Sequence, residues 1–440
     1  MDNEHKDAES GTPDIFAPFS EEKPPFSATK KEILAALAMF VLAYIYILSI
    51  NGYRYFDNFL IFTAGFAALA EWLLWERKRS AESLFWLGCM LAIAVSLLPR
   101  ERVIAVFNYG ETVLLLHVYA VYWVLCRADL LHGGESSLLL PLDGLFGFIV
   151  LPFGNFFLRL RCLIFGVRSL RKERKKHDPL TAAATIFVVL LGIGLLIWAG
   201  QLLSGADTDF AALLETLRFE IRLDGKWEMF LWRVVGSLPV GAFLFGLLGG
   251  SRRTDPEAFR ARGDGVLQEL TAIQRVPQAV FAGILTAFIL LYLTFFAVQS
   301  RYLFGAFTRT LPEGFIVSEY ARQGFFELCK VMAVNFVLLW LVTRSSAKPV
   351  GESRLMKILC AALLVQSMVF AVIAFSKLAL YISCFGFTPL RLQSTWLVVV
   401  LFFGCVCAAD TLFRGRKRFG LWLRFAGLTL AVLNLYGLFS

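Results

Sequence analysis

Apolar residues in this chain run together instead of alternating with polar ones. Eleven stretches, 32–50, 57–75, 82–98, 111–126, 180–201, 229–250, 277–299, 325–343, 355–384, 393–413 and 419–438, are separated by polar or charged gaps. A helix needs about 20 predominantly apolar residues to cross about 30 Å of hydrocarbon. The pattern therefore predicts an all-α, polytopic helical membrane protein with about 11 transmembrane helices. A transmembrane barrel is excluded, because its strands read as segments of alternating polarity.

A twelfth apolar segment, 138–153, is interrupted by Pro141, Asp143, Gly144, Gly147, Pro152 and Gly154. It is predicted to be re-entrant or interfacial, not to cross. The stretch that follows, 156–176, places Arg161, Arg168, Lys172 and Lys175 along one helical face with Phe157, Leu160, Ile164 and Leu170 elsewhere. That is the pattern of a basic amphipathic helix lying on an anionic leaflet. Asp255-Pro256-Glu257, in the polar loop 251–276, reads as an N-cap, a first-turn proline and an early acid, and predicts a short helix.

The gaps also orient the chain. With eleven crossings, the loops on the side of the N-terminus hold almost three times the Lys and Arg of the opposite loops. Cytoplasmic loops carry that excess. The expectation is a multi-pass protein of the cell (inner) membrane with a cytoplasmic N-terminus and an extracytoplasmic C-terminus. Residues 1–31 read as a disordered cytoplasmic tail without a cleavable signal peptide. Residues 32–126 read as a four-span bundle, 127–179 as a cytoplasmic basic connector with an interfacial helix, and 180–440 as a seven-span bundle.

Composition agrees with the pattern. The chain is 58% hydrophobic and 18% charged, where soluble proteins run near half and a quarter. The net charge of +9 would suggest nucleic acid in a soluble domain. Here the cations flank apolar runs, so they report topology, and no nucleic-acid partner is expected. Eight cysteines lie in or beside apolar stretches without the spacing of a disulfide framework or a metal site, and four histidines make no metal centre. No metal or cofactor is expected.

Ionisable groups inside spans each need an account. Glu71 is close to Arg77 and Lys78, and Asp410 precedes Arg414 by four residues, so both read as interfacial anchors. Asn335 and Gln366 lie near the middles of consecutive spans and are expected to pair as helix glue. His117 reads as a helix-packing residue. For Lys377 two readings stand: an ion pair with Glu327 on the preceding span, or snorkelling to the outer headgroups.

The outer-face segments carry most of the polar motifs. They read GADTDF at 205–210, AVQSRYLFGAF at 297–307, SEYARQGFFEL at 318–328 and FGFTPLRL at 385–392. These pieces resemble a family of uncharacterised bacterial multi-pass membrane proteins defined by a domain of unknown function. The matching positions are Gln299, Tyr302, Leu303, Phe304 and Gly305; Glu319, Tyr320, Ala321, Arg322, Gly324 and Phe325; and Gly386, Thr388, Leu390 and Arg391. Phe385, Phe387 and Ala306 depart from the family pattern. The resemblance covers about residues 180–413 and implies no activity.

Chemically, Asp207, Asp209, Arg301, Arg322 and Arg391 can form a charged network over the outer helix ends, with Tyr302 and Tyr320 in the aromatic belt. Ser318 can cap a helix that continues through Glu319, Arg322 and Glu327, and Glu319 can pair with Arg322. A guanidinium holds a carboxylate or phosphate bidentately, so the candidate ligand set is Asp207, Arg301, Tyr302, Glu319, Tyr320, Arg322, Glu327, Lys377, Thr388 and Arg391, for an anionic headgroup or small anion. The plain alternative is an extracytoplasmic cap that ties loops together. No HExxH, P-loop, nucleophile elbow or intramembrane aspartate pair is present. The sequence thus favours a non-enzymatic binder, transporter, sensor or assembly component, with membrane lipids and a protein among its partners. The alternative is an integral membrane enzyme on lipid-linked or headgroup substrates, with Glu319 or Asp207 as general base.

Overall fold

The computed structural model describes residues 26–50, 58–98, 106–170, 192, 225–263, 276–299 and 317–439. The long elements among them are all helices: α1 (Lys30–Ile50), α2 (Asn58–Leu73), α3 (Ala81–Ser96), α4 (Tyr109–Ala128), α5 (Leu140–Leu145), α6 (Leu151–Gly154), α7 (Leu158–Leu170), α8 (Gly225–Arg253), α9 (Gln278–Val298), α10 (Val317–Ser345), α11 (Arg354–Phe385), α12 (Pro389–Arg414) and α13 (Phe419–Phe439). Nine helical stretches of the described residues are long and apolar enough to cross a membrane. All but one overlie a span expected from the sequence. The helices α2 and α3 are apolar but only 16 residues long. Apart from residue 192, the span expected at 180–201 lies outside the described residues.

Local chemistry sets the helix ends. Ser80 caps α3 by accepting from Ser83 N at 3.0 Å. Asn108 and Glu111 form a reciprocal capping box at the start of α4, which ends at Asp129 in the left-handed region (φ 59°). Pro389 occupies the first turn of α12, and Gly415 (φ 69°) ends it. Asp255 accepts from Glu257 N at 3.2 Å, and residues 256–263 are helical, as their sequence implies.

The ninth stretch, Leu140–Ser169, is a continuous run of α5, a π-helical turn at Phe146–Val150, α6, a turn and α7. Its prolines do not break it, because Pro141 and Pro152 each sit in a first helical turn. Although long enough to cross, it starts and finishes at one end of the bundle. Gly147 lies against Val121 and Leu125 near the C-terminal end of α4, and Gly166 lies against Ile33 in the first turn of α1. A re-entrant or interfacial course fits these contacts. In α7 the buried face is Leu158, Arg159, Cys162 and Gly166, while Arg161 and Arg168 stay exposed.

Two apolar cores hold the helices. The first gathers α1 to α4, α7 and the C-terminal half of α8, and reaches Ala431 of α13. The second gathers α9 to α12. Core membership therefore does not follow chain order: α8 packs along α1, and α13 packs on both α3 and α12. Close approach is what places α8. A Cβ on Gly246 would collide with the carbonyl of Pro152, and one on Gly241 with the guanidinium of Arg159.

Candidate functional site

The outer-face set divides sharply. Asp207, Arg301 and Tyr302 lie outside the described residues, and Glu319, Tyr320 and Arg322 fall in the first turns of α10, where only the backbone is described. The helix does run unbroken from Val317 into the apolar span. Thr388 flanks α12, and its carbonyl accepts from Arg391 N at 3.0 Å. The Arg391 guanidinium donates to the carbonyls of Phe385 and Gly386 and stacks 4.1 Å from the Tyr381 ring. It closes the turn between α11 and α12. Lys377 is fully buried in the second core, so it does not snorkel, and Glu327 is exposed on α10.

The polar groups inside the spans are helix glue, with partners that differ from the expected pair. Asn335 Oδ1 accepts from Tyr292 Oη at 2.7 Å, and its Nδ2 donates to Ser367 Oγ at 2.9 Å. Gln366 instead donates to the carbonyl of Ile289 on α9 at 3.1 Å. His117 Nε2 is 2.7 Å from Tyr46 Oη, and its Nδ1 is 2.6 Å from Val113 O.

The best-defined polar structure lies at the other end of the bundle, where α2, α4 and α8 all terminate. A helix leaves its last carbonyls without partners, at the negative end of its dipole. Here arginines fill them across helices. Arg127, almost fully buried, donates to Leu74 O (2.9 Å) and Arg77 O (3.2 Å) and pairs with Glu71 (2.9 Å). Arg77 donates to the carbonyls of Ala128, Arg252 and Thr254, and Arg252 to Leu73 O. Burial pushes the Arg77 guanidinium below its ordinary pKa, with Asp129 acting the other way. Glu32 and Arg253 (2.7 Å) and Lys31 and Glu76 (2.8 Å) tie α1 into the same end. The Lys31 hydrogen bond holds the Glu76 carboxyl below its ordinary range. The loop after α4 is fixed too: buried Asp143 accepts from His132 N (2.9 Å) and sits 2.8 Å from its Nδ1.

Beside this network, between the two cores, lies a cavity of about 1270 Å³. Small-molecule pockets run about 300–1,000 Å³. Phe336, Leu339, Leu364, Leu401 and Trp422 form its walls, and Arg344, Lys417, Arg418 and Arg424 line it near the arginine-capped end. Two acids, Glu82 and Glu135, also line it; Glu82 already accepts from Ser136 Oγ. The lining runs along α10 from Ala333 to Arg344, about 17 Å at 1.5 Å per residue. That is close to one leaflet, about 15 Å of a 30 Å hydrocarbon core.

Sequence reasoning missed this site because its cations sit in gaps that already had an account as topology signals. One signal was available: Arg424 lies well inside the last apolar stretch, where a lone cation needs a reason. Among the described residues no group of three His, Cys, Asp or Glu is placed to hold a metal ion.

Stacked apolar helices, internal amide and hydroxyl pairs and an arginine-capped end define an integral, multi-pass helical membrane protein. The chain belongs to the family of the domain of unknown function DUF4153, whose model matches residues 35–439. No curated protein and no solved structure matches it.

Proposed function

We propose that this protein is a non-enzymatic membrane component that binds an anionic lipid in the cavity between its two helical cores. The observation that carries the reading is the polarity of that cavity. Its walls are apolar over about one leaflet's depth, and Arg344, Lys417, Arg418 and Arg424 gather at one end of it. A small anion has no use for the apolar depth, and a neutral acyl chain none for the cations. A lipid with an anionic head uses both.

The charge asymmetry of the loops supports a cytoplasmic position for the basic end. The ligand is then an inner-leaflet lipid of the cell membrane, whose anionic surface draws such cations.

The test is native mass spectrometry of the detergent-purified protein offered phosphatidylglycerol or phosphatidylcholine with matched acyl chains. Phosphatidylglycerol is expected to be retained selectively, and Arg344→Gln combined with Arg424→Gln is expected to remove the selectivity at unchanged thermal stability. Equal retention of both lipids by both forms would overturn the reading.

A further inference from the structure

Arg418 differs from Arg127 in how much of its guanidinium the protein uses. All three nitrogens of Arg127 have acceptors in the protein. Arg418 uses Nε alone, donating to Asp410 Oδ2 at 2.5 Å, and among the described residues its NH1 and NH2 have no protein acceptor. Arg418 also lines the cavity. Arg414 NH1 holds the other oxygen, Asp410 Oδ1, at 2.9 Å. One carboxylate is thus gripped by two guanidiniums, one on each oxygen. Asp410 gains nothing from its own helix, since an acid one turn from the C-terminus of α12 lies toward the negative end of the dipole.

Building on the lipid-binding reading above, we infer that Asp410 is an internal stand-in for the ligand's anion and that the ligand's head is a phosphodiester. Two non-bridging oxygens of a phosphodiester present to a pair of guanidiniums as the two oxygens of Asp410 do. Lipid binding is then an exchange: the phosphate bonds the free NH1 and NH2 of Arg418 and takes the place of Asp410 on its Nε. Asp410 sets the affinity by competing. It makes no contact with the acyl chains, whose walls lie deeper along α10 and α12.

The measurement is a titration of the purified protein with phosphatidylglycerol, followed by native mass spectrometry, for wild type, Asp410→Asn, Arg418→Gln, the double variant and Arg344→Gln, which is expected to weaken binding. Removing the competitor is expected to tighten binding about tenfold, the scale of one charge-assisted hydrogen bond. Arg418→Gln is expected to weaken binding, and Asp410→Asn is expected to have no effect in the Arg418→Gln background. Should Asp410→Asn not fold, Asp410→Ser carries the same expectation. If Asp410→Asn leaves affinity unchanged or lowers it while Arg344→Gln still weakens binding, Asp410 is only a tie between α12 and α13 and the exchange is wrong. If Arg344→Gln also has no effect, the lipid-binding reading itself fails.

Discussion

Arg127 joins two helix ends through one side chain, since it lies at the end of α4 and donates to the carbonyls of Leu74 and Arg77 in the turn that follows α2. Removing it takes from Glu71 its buried partner and from the Leu74 and Arg77 carbonyls a charged donor. Glu71 keeps its bond to Arg79, so Arg127→Met is expected to cost about 1.5–3 kcal/mol, the range for losing hydrogen bonds to a charged group. Thermal unfolding in detergent reads this, and an unchanged unfolding temperature would mean that packing replaces the guanidinium. Partner choice at this scale was only partly legible in the sequence. The Asp410–Arg414 pair follows from helical spacing of four, and the structure has it. Glu71 was expected near Arg77 and Lys78 but pairs with Arg79 and Arg127. Asn335 and Gln366 have matching depths yet face different neighbours. Depth along a span can be counted from residue numbers. Rotation about the helix axis, and which third helix stands nearby, cannot.

The helices themselves were largely legible, because span length and apolar runs are set by hydrocarbon thickness. The segment from Leu140 to Leu170 shows where that reading stops. Length and composition permit a crossing, but Gly147 and Gly166 meet residues at the same end of the bundle. Its course is decided by tertiary contact: small residues on α8 admit the Pro152 carbonyl and the Arg159 side chain, which bends over Phe40 at 3.7 Å. The prediction is that Glu135→Cys and Ser169→Cys, each in a background with Cys384 replaced, react with a membrane-impermeant maleimide from the same side. Both positions are exposed. Labelling from opposite sides would make the run a true span and would invert the helices that precede it.

At the scale of the molecule, α13 is the joint between the two cores. It is tied to α4 by Tyr119 Oη to Gly427 O (2.8 Å) and to α12 by Trp422 Nε1 to Val400 O (2.9 Å) and Trp396 Nε1 to Thr429 Oγ1 (2.9 Å). The cavity opens beside this joint, and both cores contribute to its surroundings: the loop after α4 on one side, α10 to α12 on the other. A lipid seated there touches both cores, so its binding free energy adds to the cohesion between them. A ligand that binds only the assembled state stabilises it by about 2.7 kcal/mol at a hundredfold excess over its dissociation constant. Phosphatidylglycerol added to delipidated protein is therefore expected to raise the unfolding temperature in a concentration-dependent way, and phosphatidylcholine to raise it less. Ala408→Trp, which fills the cavity from α12, is expected to abolish the increment while leaving the lipid-free unfolding temperature nearly unchanged. An equal increment for both lipids, surviving Ala408→Trp, would place the stabilising lipid on the outer belt of the bundle instead of between its cores.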